Sequence, residues 1–255
     1  DDVLPETEIG TVLSMADKFD VIVSCFAVGL IPTGSQDPYA LRRQSQGIIR
    51  ILETKDLSLS LKKVFEKSLS SLTNICPESD KVYEQIMDFF KDRIYNIYLE
   101  RGYRYDIVES AMKSGFDNIS DLFCRLEVIT EISKTPIWQN LVAVVERTFN
   151  IGKNCTIHGE VNEDLLKEEE ERKLWAVYKK EKENLLNYVP SRRYDELSVA
   201  YNDVFGKAVH NFFDKVFVNV EDEKIKNNRL LLVKKINEIY VENIANLAFI
   251  VEHDR

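Results

Sequence analysis

Apolar residues recur three and four positions apart along most of this chain, and helix-breaking residues are scarce, with nine glycines and six prolines among 255 residues. A period near 3.6 with so little punctuation predicts an all-α helical bundle, because strands would need alternation at period two. A hydrophobic fraction of 44% beside 30% charged residues belongs to a chain that folds around a core. No apolar run approaches the roughly 20 residues of a bilayer span. The acidic opening DDVLPETEIG lacks the basic and apolar regions of a secretory signal. These features predict a cytoplasmic protein with no membrane partner.

The pattern divides the chain into successive helices. Thr7 is a natural N-cap for the first, which runs through the apolar stretch beginning at Phe19. Asp37 followed by Pro38 predicts the cap and first residue of the second helix. A third amphipathic helix spans LSLKKVFEKSLSSL, and NICPESD reads as a joint, with Ser79 or a nearby acid capping the fourth helix. That long aromatic-rich helix ends at Gly102, a short one stops at Gly115, and another opens at Pro136. From Glu163 a charged helix carries many Glu and Lys residues at helical spacing, with Leu174, Trp175 and Tyr178 turned inward. After Pro190 come one or two helices burying Phe205, Phe212 and Phe213, and KIKNNRLLLVKK opens a final amphipathic helix.

Chemistry is sparse. The sequence has no GxSxG, GxGxxG or HExxH motif and no phosphate loop of the GxxxxGK[ST] type, so no catalytic residue is assigned. Cys25, Cys76, Cys124 and Cys155 are scattered, which predicts reduced, mostly buried thiols; His158, His210 and His253 are equally isolated, and no metal site is expected. Asp17 and Asp20 fit a hard cation, or simply the polar face of a helix. A net charge of -9 argues against a general nucleic-acid binder, and no DNA partner is expected, although a local basic strip remains compatible with it.

Three places supply such a strip. Arg42 and Arg43 follow the rigid turn at Pro38 and can clamp phosphate or pair with neighbouring acids. Arg147, Asn150 and Lys153 surround Phe149 near a helix end, where donors beside an aromatic ring suit unpaired RNA, and a helix end with a glycine is the plainer explanation. Asn228 and Arg229 raise the same choice near the start of the last helix.

Two longer blocks are more specific. The segment from Leu13 to Leu52, with Ala16, Asp17, Lys18, Asp20, Gly29, Pro32, Gly34, Asp37, Pro38, Ala40 to Arg43, Gly47 and Arg50 in place, resembles the bacterial glycyl-tRNA synthetase beta subunit where its HD-like region ends. The block FFDKVFVNVEDEKIKNNRLLLVKKI is similar to that family's C-terminal pattern, matching at Phe212, Phe213, Asp214, Asp222, Asn228 and Arg229. Lys226 departs from it, standing where the family often has Arg. The resemblance implies an HD-like helical tail over residues 1–76 and a DALR-type anticodon-binding helical domain over 77–255. It further implies partnership with tRNA(Gly) and with an alpha subunit that uses ATP and glycine, with no cofactor in this chain. The expected tRNA-facing residues are Arg147, Asn150, Lys153, Asn228 and Arg229, with Arg42 and Arg43 secondary. The alternative is a structural or subunit-docking role. The upstream elements of an HD metal site are not present, so the chain is expected to be a C-terminal portion of a longer subunit.

Overall fold

A computed structural model describes residues 3–34, 36–72, 76 and 78–251. The described residues form ten α-helices and no sheet, with two isolated bridges, Thr33 to Gln36 and Ser60 to Asn118. Two compact units emerge: Asp1–Arg104 with Phe116–Phe123, and Tyr105–Gly115 with Cys124–Arg255.

The first unit contains α1 (Glu8–Ala27), α2 (Leu41–Thr54), α3 (Leu61–Ser70) and α4 (Ser79–Glu100), with α1 and α4 each packed against the other three. The boundary expected at residue 76 therefore falls inside this unit, between α3 and α4. Its core is aromatic: Phe65 lies between Phe19 and Phe90, with centroids at 5.5 and 5.1 Å, and Phe89 joins Phe90 to Phe26. Thr7 caps α1 as expected, its hydroxyl accepting from the Gly10 N–H at 3.0 Å.

The start of α2 corrects the expectation. Pro38 and Tyr39 stay in the turn, and Ala40 adopts a left-handed conformation (φ 53°) before the helix begins at Leu41. Asp37 still serves the helix, because its carboxylate reaches forward to accept from Leu41 N–H at 2.7 Å and Arg42 N–H at 3.0 Å. The joint at 74–80 lies partly outside the described residues. Ser79 is the first residue of α4, and the cap position is Glu78, which makes no side-chain capping bond. At the other end of α4, Gly102 takes the left-handed conformation expected of it (φ 89°).

The second unit contains α5 (Tyr105–Lys113), α7 (Trp138–Gly152), α8 (Glu169–Leu186), α9 (Tyr194–Lys215), α10 (Glu223–Val241) and a 3-10 turn at Leu247–Phe249. The unit boundary falls within α6 (Ile119–Ile132). α7 packs on α10 and α9, and α8 packs on α9 and α10. Pro136 precedes α7, which begins at Trp138. The charged segment from Glu163 makes a short 3-10 turn before α8, which opens on a reciprocal capping box between Glu168 and Glu171. Leu174, Trp175 and Tyr178 are buried, as are Phe205 and Phe212, whereas Phe213 is only half-buried.

Buried polar side chains tie this unit together, although the hydroxyls of Ser110 and Ser114 have no hydrogen-bond partner among the described residues. Asn237 donates to Val145 O at 3.0 Å and Thr148 Oγ1 at 2.9 Å, tying α10 to α7. The Arg125 guanidinium donates to the carbonyls of Ala111, Gly115 and Ile244. A planar fork spanning three carbonyls fastens α5 and the chain after α10 to α6.

Candidate nucleic-acid interface

The end of α7 owes its shape to a close helix crossing. Gly152 is buried, and a Cβ there would lie 3.1 Å from the Lys234 Cα and 3.2 Å from its nitrogen on α10. The glycine near this helix end therefore serves packing. The residue after it, Lys153, has ordinary right-handed φ and donates its N–H to Phe149 O at 2.8 Å. With the inner face of α7 fixed against α10 and α9, the opposite face is presented outward with Arg147, Asn150 and Lys153 exposed.

Each cation there is seated on an aromatic ring. The Arg147 guanidinium lies 4.4 Å from the Phe213 centroid, and the Lys153 ammonium lies 5.8 Å from Phe149 while donating to Asn150 Oδ1 at 3.0 Å. Phe149 meets Phe249 at 6.2 Å, and the exposed Lys113 sits 4.7 Å above Phe249. Such contacts contribute about 0.5–1 kcal/mol each at exposed sites. Their larger effect is to hold long side chains in place while leaving the charge uncompensated, since none of these three cations pairs with a carboxylate among the described residues. A shallow recess of about 350 Å³ runs along the same face, lined by Ala143, Glu146, Arg147, Asn150 and Ile151.

Arg147, Asn150 and Lys153 are thus brought together, and Lys113, Phe213 and Phe249 join them. Sequence spacing points to Phe149 alone among the rings, because the pairing of Lys113 with Phe249 is non-local. Phe213 carries a core-like pattern, and its half-buried ring receives the Arg147 guanidinium 4.4 Å from its centroid.

Asn228 and Arg229 do not belong to this surface. They are only 6% and 5% exposed. Asn228 exchanges two hydrogen bonds with the Asn162 backbone, accepting at 2.8 Å and donating at 3.0 Å. Arg229 forms an ion pair with Glu171, whose side chain is fully buried, and donates to Phe217 O at 2.6 Å. Glu171 in turn accepts from the Glu168 N–H at 2.8 Å, so one carboxylate both caps α8 and neutralises Arg229. The expectation that these two residues face RNA is corrected: burial makes them fasteners of the 162–171 segment. Arg42 and Arg43 lie in the first unit, on α2, where Arg43 is exposed and Arg42 half-buried.

Asp17 and Asp20 are exposed on α1, and no group of three potential metal ligands comes together among the described residues. The four cysteines are free thiols, three of them buried. Among the described residues, no helix is long and apolar enough to cross a membrane.

Fold and site define an all-α protein whose second unit is built as a DALR-type helical module: residues 142–246 match the DALR anticodon binding domain family. Residues 1–113 match the family described as glycyl-tRNA synthetase beta subunit. Among curated relatives, the glycine–tRNA ligase beta subunit of Clostridioides difficile is 36% identical over 253 residues, covering 98% of this chain and 36% of the relative. That of Geotalea uraniireducens is 36% identical over 246 residues, covering 96% and 35%, and that of Desulforamulus reducens 35% identical over 253 residues, covering 98% and 36%. The chain belongs to the glycyl-tRNA synthetase beta-subunit family, and it spans little more than a third of the length of these relatives.

Proposed function

We propose that the second unit holds tRNA through the outer face of α7, as part of the beta subunit of a cytoplasmic glycyl-tRNA synthetase. In this reading glycine is attached to tRNA(Gly), with ATP, on the alpha subunit, and this chain supplies contacts remote from the reacting atoms. Remote contacts accelerate the reaction when they fix the acceptor end in a productive position. The observation that carries the reading is the cluster of Arg147, Lys153 and Lys113 seated on half-buried rings, with the Asn150 amide among them. Phosphate takes the charges, and rings or guanidinium planes take unstacked bases.

Binding of the chain to a tRNA(Gly) transcript, titrated across a range of salt, tests this. Arg147→Ala with Lys153→Ala removes two cations, so the logarithmic salt slope is expected to fall by about 1.5, at 0.7–0.9 per phosphate contact. Affinity and slope both unchanged would remove this surface from the interface.

A second reading, subunit docking, has its own observation in the first unit. Ile9, Val12 and Leu13 follow helical spacing on α1 and are 82%, 69% and 69% exposed, an apolar stripe of the kind that a partner covers. Ile9→Asp with Leu13→Asp is expected to weaken co-purification with the alpha subunit. If capture is undiminished, the stripe has no docking role there.

A further inference from the structure

The side of α1 turned away from the first unit's core carries chemistry that the bundle does not use. The other sides of this helix are occupied. Phe19 meets Phe65 of α3, Phe26 meets Phe89 of α4, and the Lys18 stem lies across α2 at Gly47, where a Cβ would stand 2.8 Å from the Lys18 Cε. At about 100° per residue the remaining side holds Ile9, Leu13, Ala16 and Asp20, with Val12 beside them, and all five are exposed. Two turns of this side are apolar, and the small Ala16 leaves room for another backbone to come close. The ends of the stripe are acidic. Glu6 and Glu8 stand at its start and Asp17 and Asp20 at its finish, all four exposed and none with an ion-pair partner among the described residues. Lys18, the only basic residue of α1, is turned to α2 and donates to Ser14 Oγ at 2.9 Å.

We propose that this face docks an amphipathic helix of a partner protein, one whose apolar stripe is flanked by Lys or Arg at both ends. Charge selects this occupant. A second copy of the chain laid on the stripe, parallel or antiparallel, brings acid against acid at both ends, and an anionic lipid surface meets the same repulsion. A helix with basic flanks gains at both ends instead. Apolar side chains supply the contact, as in other helix-on-groove recognition, while the charges fix register and exclude wrong partners. From Glu8 to Asp20 the helix rises about 18 Å, at about 1.5 Å per residue, so the partner's basic groups are expected at that separation. The inference rests on the reading of this stripe as a subunit-docking face and adds the form and charge of what docks.

The test uses the full chain and labelled helical peptides that share one leucine stripe and carry Lys, Gln or Glu at both of its ends. Fluorescence anisotropy at low salt is expected to rank them in that order, the Lys peptide binding about tenfold tighter than the Glu peptide, a modest sum over several exposed charge contacts. Salt near 1 M, where the screening length is about 3 Å, is expected to close most of the gap. Asp17→Asn with Asp20→Asn removes half of the acids and is expected to narrow it to about threefold. Ile9→Ser with Leu13→Ser is expected to weaken all three peptides by about tenfold or more. These residues lie on an exposed helix face, and unchanged helicity by circular dichroism confirms that the variants fold. Equal binding of the three peptides, binding of none, or a preference undiminished in Asp17→Asn with Asp20→Asn would overturn the basic helix. If capture of the alpha subunit still falls in Ile9→Asp with Leu13→Asp, the docking reading stands without it; if capture is undiminished and no peptide binds, both fall. Self-association in sedimentation, or binding to phosphatidylserine vesicles, that Ile9→Ser with Leu13→Ser abolishes would give the face to a second copy or to a membrane and overturn the proposal.

Discussion

Replacing Arg229 with Ala separates a structural role from an RNA-contacting one. The substitution removes the partner of Glu171, whose side chain has no solvent exposure and among the described residues keeps only the Glu168 N–H as donor, and it removes a donor from Phe217 O. Stranding one member of a buried ion pair costs about 3–5 kcal/mol, against a total stability of about 5–15 kcal/mol for a typical protein. Both tryptophans, Trp138 and Trp175, lie in the second unit, so urea unfolding followed by their emission reports on that unit. The expected result is a large fall in the unfolding midpoint, with the affinity of the folded fraction for tRNA(Gly) unchanged. Changing both partners, Arg229→Met with Glu171→Leu, is expected to recover most of the loss, because no buried charge then remains. A tenfold loss of RNA affinity with an unmoved unfolding curve would refute the reasoning and return Arg229 to the interface.

Two further outcomes concern the second unit. Gly152→Ala places a Cβ 3.1 Å from the Lys234 backbone, which must shift, so a destabilisation of about 1–3 kcal/mol is expected in the same urea assay; a neutral result would mean that the α7 and α10 crossing can relax. Burial, then the nearby Glu242, raises the Glu238 carboxyl above the ordinary carboxylate range, against the opposing pull of Lys234 and Lys235. A carboxyl raised in the folded state binds more protons there than when unfolded, so it costs stability as pH rises through that range. Glu238→Gln is therefore expected to raise the unfolding midpoint at pH 7 and to leave it unmoved at about pH 3, where the carboxyl is protonated folded or unfolded.

The helices were legible because periodicity is local, and so were their clearest signals, the Thr7 cap and the left-handed glycine after α4. The start of α2 was less so. Asp37 before Pro38 is the ordinary cap signal, but here the carboxylate spans the turn and serves amides four and five residues on, a reach set by the backbone around Ala40. Asn228 and Arg229 illustrate a different limit. A polar residue in a sequence pattern carries the same letters whether it meets water, RNA or a buried acid, and what decides is a partner, Glu171 or Asn162, some sixty positions away in sequence. The α7 face was half legible. Arg147, Asn150 and Lys153 share one helix end, whereas Lys113 and Phe249 reach the cluster only through the fold.

That cluster also resolves how an acidic chain can hold an anionic ligand. On and around α8, the lysines are largely spoken for: Lys173 by Glu169 and Glu170, Lys179 by Glu163, Lys180 by Glu181, and Lys215 by Glu170. Those exposed pairs contribute little to stability, about 0–1 kcal/mol each, but they cancel charge locally. At Arg147, Lys153 and Lys113 the neighbour is a ring, which orients the cation without neutralising it. The net charge of -9 and a cationic face are therefore compatible, because screening confines each to about 10 Å at 0.1 M salt. Association would then depend on a few uncompensated cations held in place, and its salt dependence would count those cations alone.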